Sequence, residues 1–162
     1  MELKTRLLIL AAAMLLVGAC GTPKIKNTEI DDTPQNRAIL DLIEQYRAAY
    51  EARDAPAIIA LASQQYMETG GTAGTEDDYD YDSLKAKLEG EDFTRVLKAR
   101  LAISIKAVRV EGERAFAEMR IETRYQTHSL EEAKDPEWHM HADDNRMTFV
   151  QEDGKWKILS GM

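Results

Sequence analysis

Residues 97–110 read LKARLAISIKAVRV and residues 115–125 read AFAEMRIETRY. In the first stretch Leu97, Ala99, Leu101, Ile103 and Ile105 alternate with Lys98, Arg100 and Ser104. Side chains on a strand point to opposite faces in turn, so a period of two places the apolar set on one face. The phase then slips, because Val108 and Val110 lie on the other parity. One extra residue near Lys106-Ala107 restores the face, which predicts a β-bulge there. In the second stretch Ala115, Ala117, Met119, Ile121, Thr123 and Tyr125 share a face, with Glu118, Arg120, Glu122 and Arg124 opposite. Glu111-Gly112-Glu113-Arg114 is the turn between the two strands.

Working outward, a third strand is predicted from about His139 to Gln151. Glu152-Asp153-Gly154-Lys155 then reads as a hairpin turn, since Asp-Gly supplies the positive backbone angles of a two-residue loop. Trp156 to Ser160 is the last strand. Upstream the period becomes helical. Thr33-Pro34 reads as an N-cap followed by a proline at the first helical position. Ile39, Leu42, Ile43, Tyr46, Ala49 and Tyr50 recur at helical spacing. Asp54 is placed to cap a second helix through Ala55-Pro56, and a third is predicted from Ser83. A shorter turn is read at Phe93–Leu97. Helices precede antiparallel strands, so the fold class is α+β, with N-terminal helices packed on a sheet of about four strands.

Three stretches carry a family resemblance. They are Tyr46–Asp54 with Ile58–Leu61, Val108–Ala115, and Arg146–Val150 with Glu152–Ile158. In this order the chain resembles the nuclear transport factor 2-like superfamily, which includes SnoaL-like and ketosteroid-isomerase-like domains. The resemblance implies a curved sheet wrapped around helices, forming a cone with a pocket. It also raises a homodimer through the open sheet face. That fold hosts dehydratases, isomerases, hydrolases and binding modules, so it does not fix an activity.

The chain start is a separate signal. Lys4 and Arg6 precede an apolar run from Leu7 to Val17, and Val17-Gly18-Ala19 leads into Cys20, the one cysteine of 162 residues. A basic start, an apolar stretch of about half the ~20 residues that span a bilayer, and small residues before a cut describe a secretory signal. With the cysteine at the cut, the segment resembles the lipobox of bacterial lipoproteins. That resemblance implies diacylglycerol on the Cys20 thiol and an acyl chain such as palmitate on its amine. Two or more chains make attachment stable. Ordinary signal cleavage after Ala19 is the alternative. Gly21 follows the cysteine; in such lipoproteins an aspartate there favours inner-membrane retention, so an outer-membrane anchor facing the periplasm is expected.

Expected boundaries are therefore a signal peptide at 1–19, a lipidated cysteine and flexible tether with few contacts at 20–32, and one domain at 33–162. The whole chain carries a net charge of −8, and losing Lys4, Arg6 and Glu2 with the leader makes the remainder −9. This excludes the electrostatic footprint of a nucleic-acid binder. It also leaves membrane attachment to the lipid.

The third predicted strand carries the site candidates. His139, His141, Asp143, Asn145, Met147 and Phe149 share a parity, polar at one end and apolar at the other. This suits a cone with an apolar floor and a wet mouth. Tyr125, His141, Asp143 and Asn145 are the candidate pocket residues, with Tyr125 directed at His141 or Asp143. An imidazole beside a carboxylate is a workable acid–base pair near neutral pH. His139, His141 and Asp143 also project together as a metal set would, but nothing fixes a fourth ligand, so no metal is assigned. Asp78, Asp80, Asp82 and Glu89 follow part of a calcium-loop spacing, yet Ser83 stands where the sharp turn needs glycine. That run reads as a solvated loop whose Asp82 caps the next helix. No cofactor motif is present, and catalytic roles stay unassigned. The expected function is a membrane-anchored cell-envelope lipoprotein with a non-catalytic binding or structural domain. Its partner would be a small hydrophobic ligand or an envelope protein. The alternative is a SnoaL-like isomerase, dehydratase or hydrolase acting on a hydrophobic small molecule in the pocket.

Overall fold

The computed structural model describes residues 22–70, 74–76, 78–128 and 136–162. Cys20 and the leader lie outside them. Helix α1 runs from Pro34 to Ala52 and begins at Thr33, whose side chain accepts from the Asn36 N–H. Its face of Ile39, Leu42, Ile43, Tyr46 and Ala49 is buried, as the period requires. Arg53 ends it in the left-handed region at φ 58. Asp54 then caps α2, Ala55–Leu61, through the Ala57 N–H at 3.0 Å.

The segment between α2 and the next helix holds a two-residue pair, β1 (Met67–Glu68) against β2 (Tyr79–Asp80). Strands this short carry no period by which they could be read in advance. Helix α3, Tyr81–Glu89, starts earlier than Ser83. Its cap is Asp80, not Asp82, because the Asp80 carboxylate accepts from the Ser83 N–H at 2.9 Å. That bond holds the Asp80 carboxyl below its usual range. It also commits Asp80 to the backbone and away from a calcium loop. Helix α4, Glu91–Thr94, is a single turn.

Four strands follow: β3 (Val96–Glu111), β4 (Arg114–Thr127), β5 (Glu137–Glu152) and β6 (Lys155–Ser160). They pair antiparallel in chain order. The register of β3 on β4 shifts between Ile105 and Ala107, the bulge expected at Lys106. A second shift at Leu97 was not foreseen. Gly112 at φ 63 opens the first hairpin turn, and Asp153 and Gly154, at φ 49 and 76, form the last. Both loops have two residues, the length that matches strand twist.

The core lies between the concave face of the sheet and α1 to α3. Large and small residues alternate across it. Phe149 lies opposite Ala115, and Met147 opposite Ala117. Ile158 is fully buried and Trp156 half-buried against the same core. β3 forms one edge of the sheet. There the Glu51 carboxylate of α1 accepts the Leu101 N–H at 3.0 Å, covering a donor that an edge strand would otherwise leave open.

Residues 22–32 correct the expectation of few contacts. The Asp32 N–H donates to the Pro23 carbonyl at 2.6 Å and the Ile25 N–H to the Ile30 carbonyl at 2.8 Å. Lys24 pairs with Asp31 at 2.9 Å, and Ile30 is 4% exposed. The turn is built from Asn27 at φ 64 and the Thr28 hydroxyl, which donates to the Ile25 carbonyl. Turn chemistry of this kind leaves no hydrophobic period to read.

Candidate functional site

One end of the sheet and the helices border an open cavity of about 970 Å³. Its wall is aromatic. Tyr46 and Tyr50 come from α1, Tyr79 from β2, Phe93 from α4 and Tyr125 from β4. Tyr46 and Tyr50 lie one helical turn apart, so they share a face, with ring centroids at 6.1 Å. Phe93 meets Tyr50 edge-on at 6.1 Å. On the far side Lys87 lies 3.6 Å over the Tyr79 ring, a cation held by the negative face of the ring.

Burial pushes the phenols of Tyr46, Tyr50 and Tyr79 above their ordinary range. They therefore keep their protons at neutral pH and act as neutral hydrogen-bonding groups. Tyr79 is in use already, donating to the Met162 carbonyl at 3.2 Å. Behind it Tyr66, which is fully buried and has its phenol likewise pushed up by burial, accepts the Met162 N–H at 3.3 Å. Glu68 accepts the Gly161 N–H at 2.6 Å. Met162, held by these bonds, forms part of the cavity wall.

The sequence candidates divide at this point. Tyr125 lines the cavity. Its register partner, however, is His139, not His141 or Asp143. The two rings stack at 4.9 Å, and His139 Nε2 lies 3.2 Å from the Thr127 hydroxyl. His141 and Asp143 occupy the same parity as Met147, but both are exposed and neither reaches the cavity wall. The reason is the length of β6. It pairs with β5 only from Thr148 to Glu152, so the first half of β5 lacks that neighbour. Asp143 accepts the N–H of Asp144 next to it at 2.8 Å. Asn145 is half-buried but structural, donating to the Gly161 carbonyl at 2.8 Å.

Tyr50, Tyr79, Phe93, Thr127 and His139 were not assigned to the pocket from sequence. Tyr50 sat in the helical period and His139 in the strand parity, so both had a signal. Nothing local marks Phe93 or Tyr79 as cavity residues. The carboxylates among the described lining residues are Glu91 and Asp92, both exposed at the rim. The arrangement thus offers an aromatic interior, neutral hydroxyls, an imidazole near the mouth, and Lys87 and Arg95 as the cations of the lining. It can stack and hydrogen-bond a small molecule, and it holds no buried carboxylate among those residues.

No protein-family model matches the sequence, and no curated protein does either. Solved structures do match. A conserved protein from Planctomyces limnophilus aligns with a TM-score of 0.65 at 13% identity, over 78% of this chain and 92% of that one. A candidate scytalone dehydratase from Novosphingobium aromaticivorans aligns with a TM-score of 0.64 at 18% identity, over 78% and 80%. A nuclear transport factor 2-like protein with a cystatin-like fold, from the same organism, aligns with a TM-score of 0.55 at 20% identity, over 78% of each chain. At such identities the likeness is one of fold. Four antiparallel strands curved around α1 to α3, with a cavity between them, and these neighbours together give this chain a cone-shaped, nuclear transport factor 2-like α+β fold.

Proposed function

We propose that the domain is a binding module for a small, uncharged, flat molecule, held at the cell envelope by lipid on Cys20. The cavity wall carries the first half of this reading. Aromatic rings with protonated hydroxyls favour an apolar ring bearing one or two polar substituents. Of the two cations that line it, Lys87 is exposed and already lies over the Tyr79 ring, and Arg95 donates to the His128 carbonyl, so a charged ligand would lose its hydration for little return inside. The second half rests on the leader pattern that ends at the one cysteine.

The probe that tests the first half is 2-naphthol, with naphthalene-2-sulfonate as its charged counterpart. The expected result is saturable binding of the naphthol alone, followed by protein fluorescence. Tyr50→Ala should weaken it about fivefold, the effect of losing roughly 1 kcal/mol of aromatic contact. Absence of naphthol binding, or equal binding to wild type and variant, would sink the reading. For the second half, Cys20→Ala should move the protein from the membrane fraction to the soluble one. A wild-type protein whose intact mass shows an unmodified Cys20 would refute lipidation.

One observation favours the enzymatic alternative. His139 sits at the mouth, stacked on Tyr125 and within 3.2 Å of the Thr127 hydroxyl. An imidazole there could take a proton from a ligand while a tyrosine hydroxyl polarises a carbonyl. Chemical change of a bound hydroxylated aromatic ketone, lost in His139→Gln while binding persists, would favour this reading over the module.

A further inference from the structure

We infer that the cavity opens away from the anchoring bilayer, so the ligand is taken from the aqueous compartment and not drawn from the anchoring leaflet. The inference rests on the attachment at Cys20 proposed above; its geometry comes from the described residues alone.

The two ends of the sheet are occupied differently. Val96, Tyr125, Thr127 and His139, which belong to the cavity, lie at one end of β3, β4 and β5. The other end holds the Gly112 turn, Gln151 and Trp156, and against it lie Asp31, Thr33 and Asn36. The chain therefore enters the domain at the hairpin end. Helix α1 alone carries it about 25 Å from Thr33 to Tyr50, at 1.5 Å per residue. Strand β4 covers roughly 40 Å between Ala115 and Thr127 when extended. The mouth is thus some tens of ångströms from the point of entry.

The segment before α1 removes the slack that would let the domain tumble over. A free chain from Cys20 to Asp32 would reach roughly 20 Å as a coil and more if stretched. Here Asp32 is bonded back to Pro23 at 2.6 Å, with the Lys24–Asp31 pair beside it. The distance that counts is then from Pro23 to Cys20. Three residues span at most about 10 Å whatever their conformation. Lipid in the bilayer would hold the hairpin end close to the headgroups, and the cavity mouth would point outward.

The two tryptophans report opposite ends. Trp156 borders the groove beside Thr33. Trp138 is 51% exposed and next to His139 at the mouth. The processed protein is reconstituted into phosphatidylcholine vesicles carrying a dansyl-headgroup lipid. Flotation reads attachment, and energy transfer from tryptophan to dansyl reads orientation. Should the cell-made protein fail to float, lipidation fails. Coupling Cys20, the sole cysteine, to a maleimide lipid then supplies the anchor and orientation is still measured. Trp138→Phe is expected to leave the transfer almost unchanged, and Trp156→Phe to cut it by more than half. Loss of transfer in Trp138→Phe, or equal loss in both, overturns the inference. Trp138→Phe changes an exposed site, so it decides the matter even if Trp156→Phe perturbs folding.

Discussion

Phe149→Ala is expected to destabilise the domain by about 3–5 kcal/mol, the range for emptying a buried aromatic site. Phe149 has no exposed surface and lies on β5 between Ala115 of β4 and Ile158 of β6. Both neighbours are themselves fully buried. Ala115 is already as small as the sheet can offer, and the paired backbones hold the strands apart. The site therefore collapses poorly, which puts the cost toward the upper end of the range. A domain has only about 5–15 kcal/mol in total, so a cost near the upper end removes from roughly a third to all of it. Urea unfolding followed by far-UV dichroism measures it. Met140→Ala is the control, since Met140 is 72% exposed on the adjoining half of β5. It should shift stability by under about 0.5 kcal/mol. A similarly small effect for Phe149→Ala would mean that the concave face has been misassigned.

That pair of residues also marks what the sequence could and could not reveal. Periodicity assigned Met147 and Phe149 to the inner face, placed the bulge at Lys106, and found the caps Thr33 and Asp54. Each is a local property of the chain, readable from a few neighbouring residues. Parity continued without interruption through Asn145, Asp143 and His141, and suggested that these too faced a cavity. Whether an inner-face residue is covered depends on how far its neighbours extend. β6 ends at Ser160, opposite Thr148. No pattern within β5 records where another strand stops. The cavity was hidden for the same reason. Its wall is drawn from α1 to α4 and from β2 to β5, and it exists only once these are assembled. Residues 22–32 show the reverse. A missing hydrophobic period does not mean missing structure there, because Asn27 and Thr28 carry turn chemistry that local rules do describe.

Gly161→Ala should both destabilise the fold and weaken binding in the cavity. Gly161 has φ +93, a backbone conformation that L side chains rarely adopt. An added Cβ would lie 2.6 Å from the Arg146 carbonyl oxygen and 2.9 Å from the Met147 Cα. Both are backbone atoms of β5, paired along this stretch with β4, so neither can swing aside as a side chain would. Backbone strain and overpacking each contribute on the order of 1–3 kcal/mol, which gives about 2–6 kcal/mol together. The chain can relieve the clash only by lifting residue 161 off β5. That movement would break the bonds from Gly161 to Glu68 and from Asn145 to Gly161. Met162, which follows directly, would leave the cavity wall and release the Tyr79 hydroxyl bonded to its carbonyl. The expected readouts are a lower unfolding midpoint and weaker binding of 2-naphthol at a temperature where the variant is still folded. Gly112→Ala separates the two causes, because Gly112 has φ +63 but nothing within 4 Å of an added Cβ. It should cost only about 1–2 kcal/mol, from the left-handed backbone alone, and leave binding intact. Should Gly161→Ala prove no worse than Gly112→Ala, the close approach to β5 does not constrain the chain. Met162 would then be a passenger at the wall and not a residue that shapes the cavity.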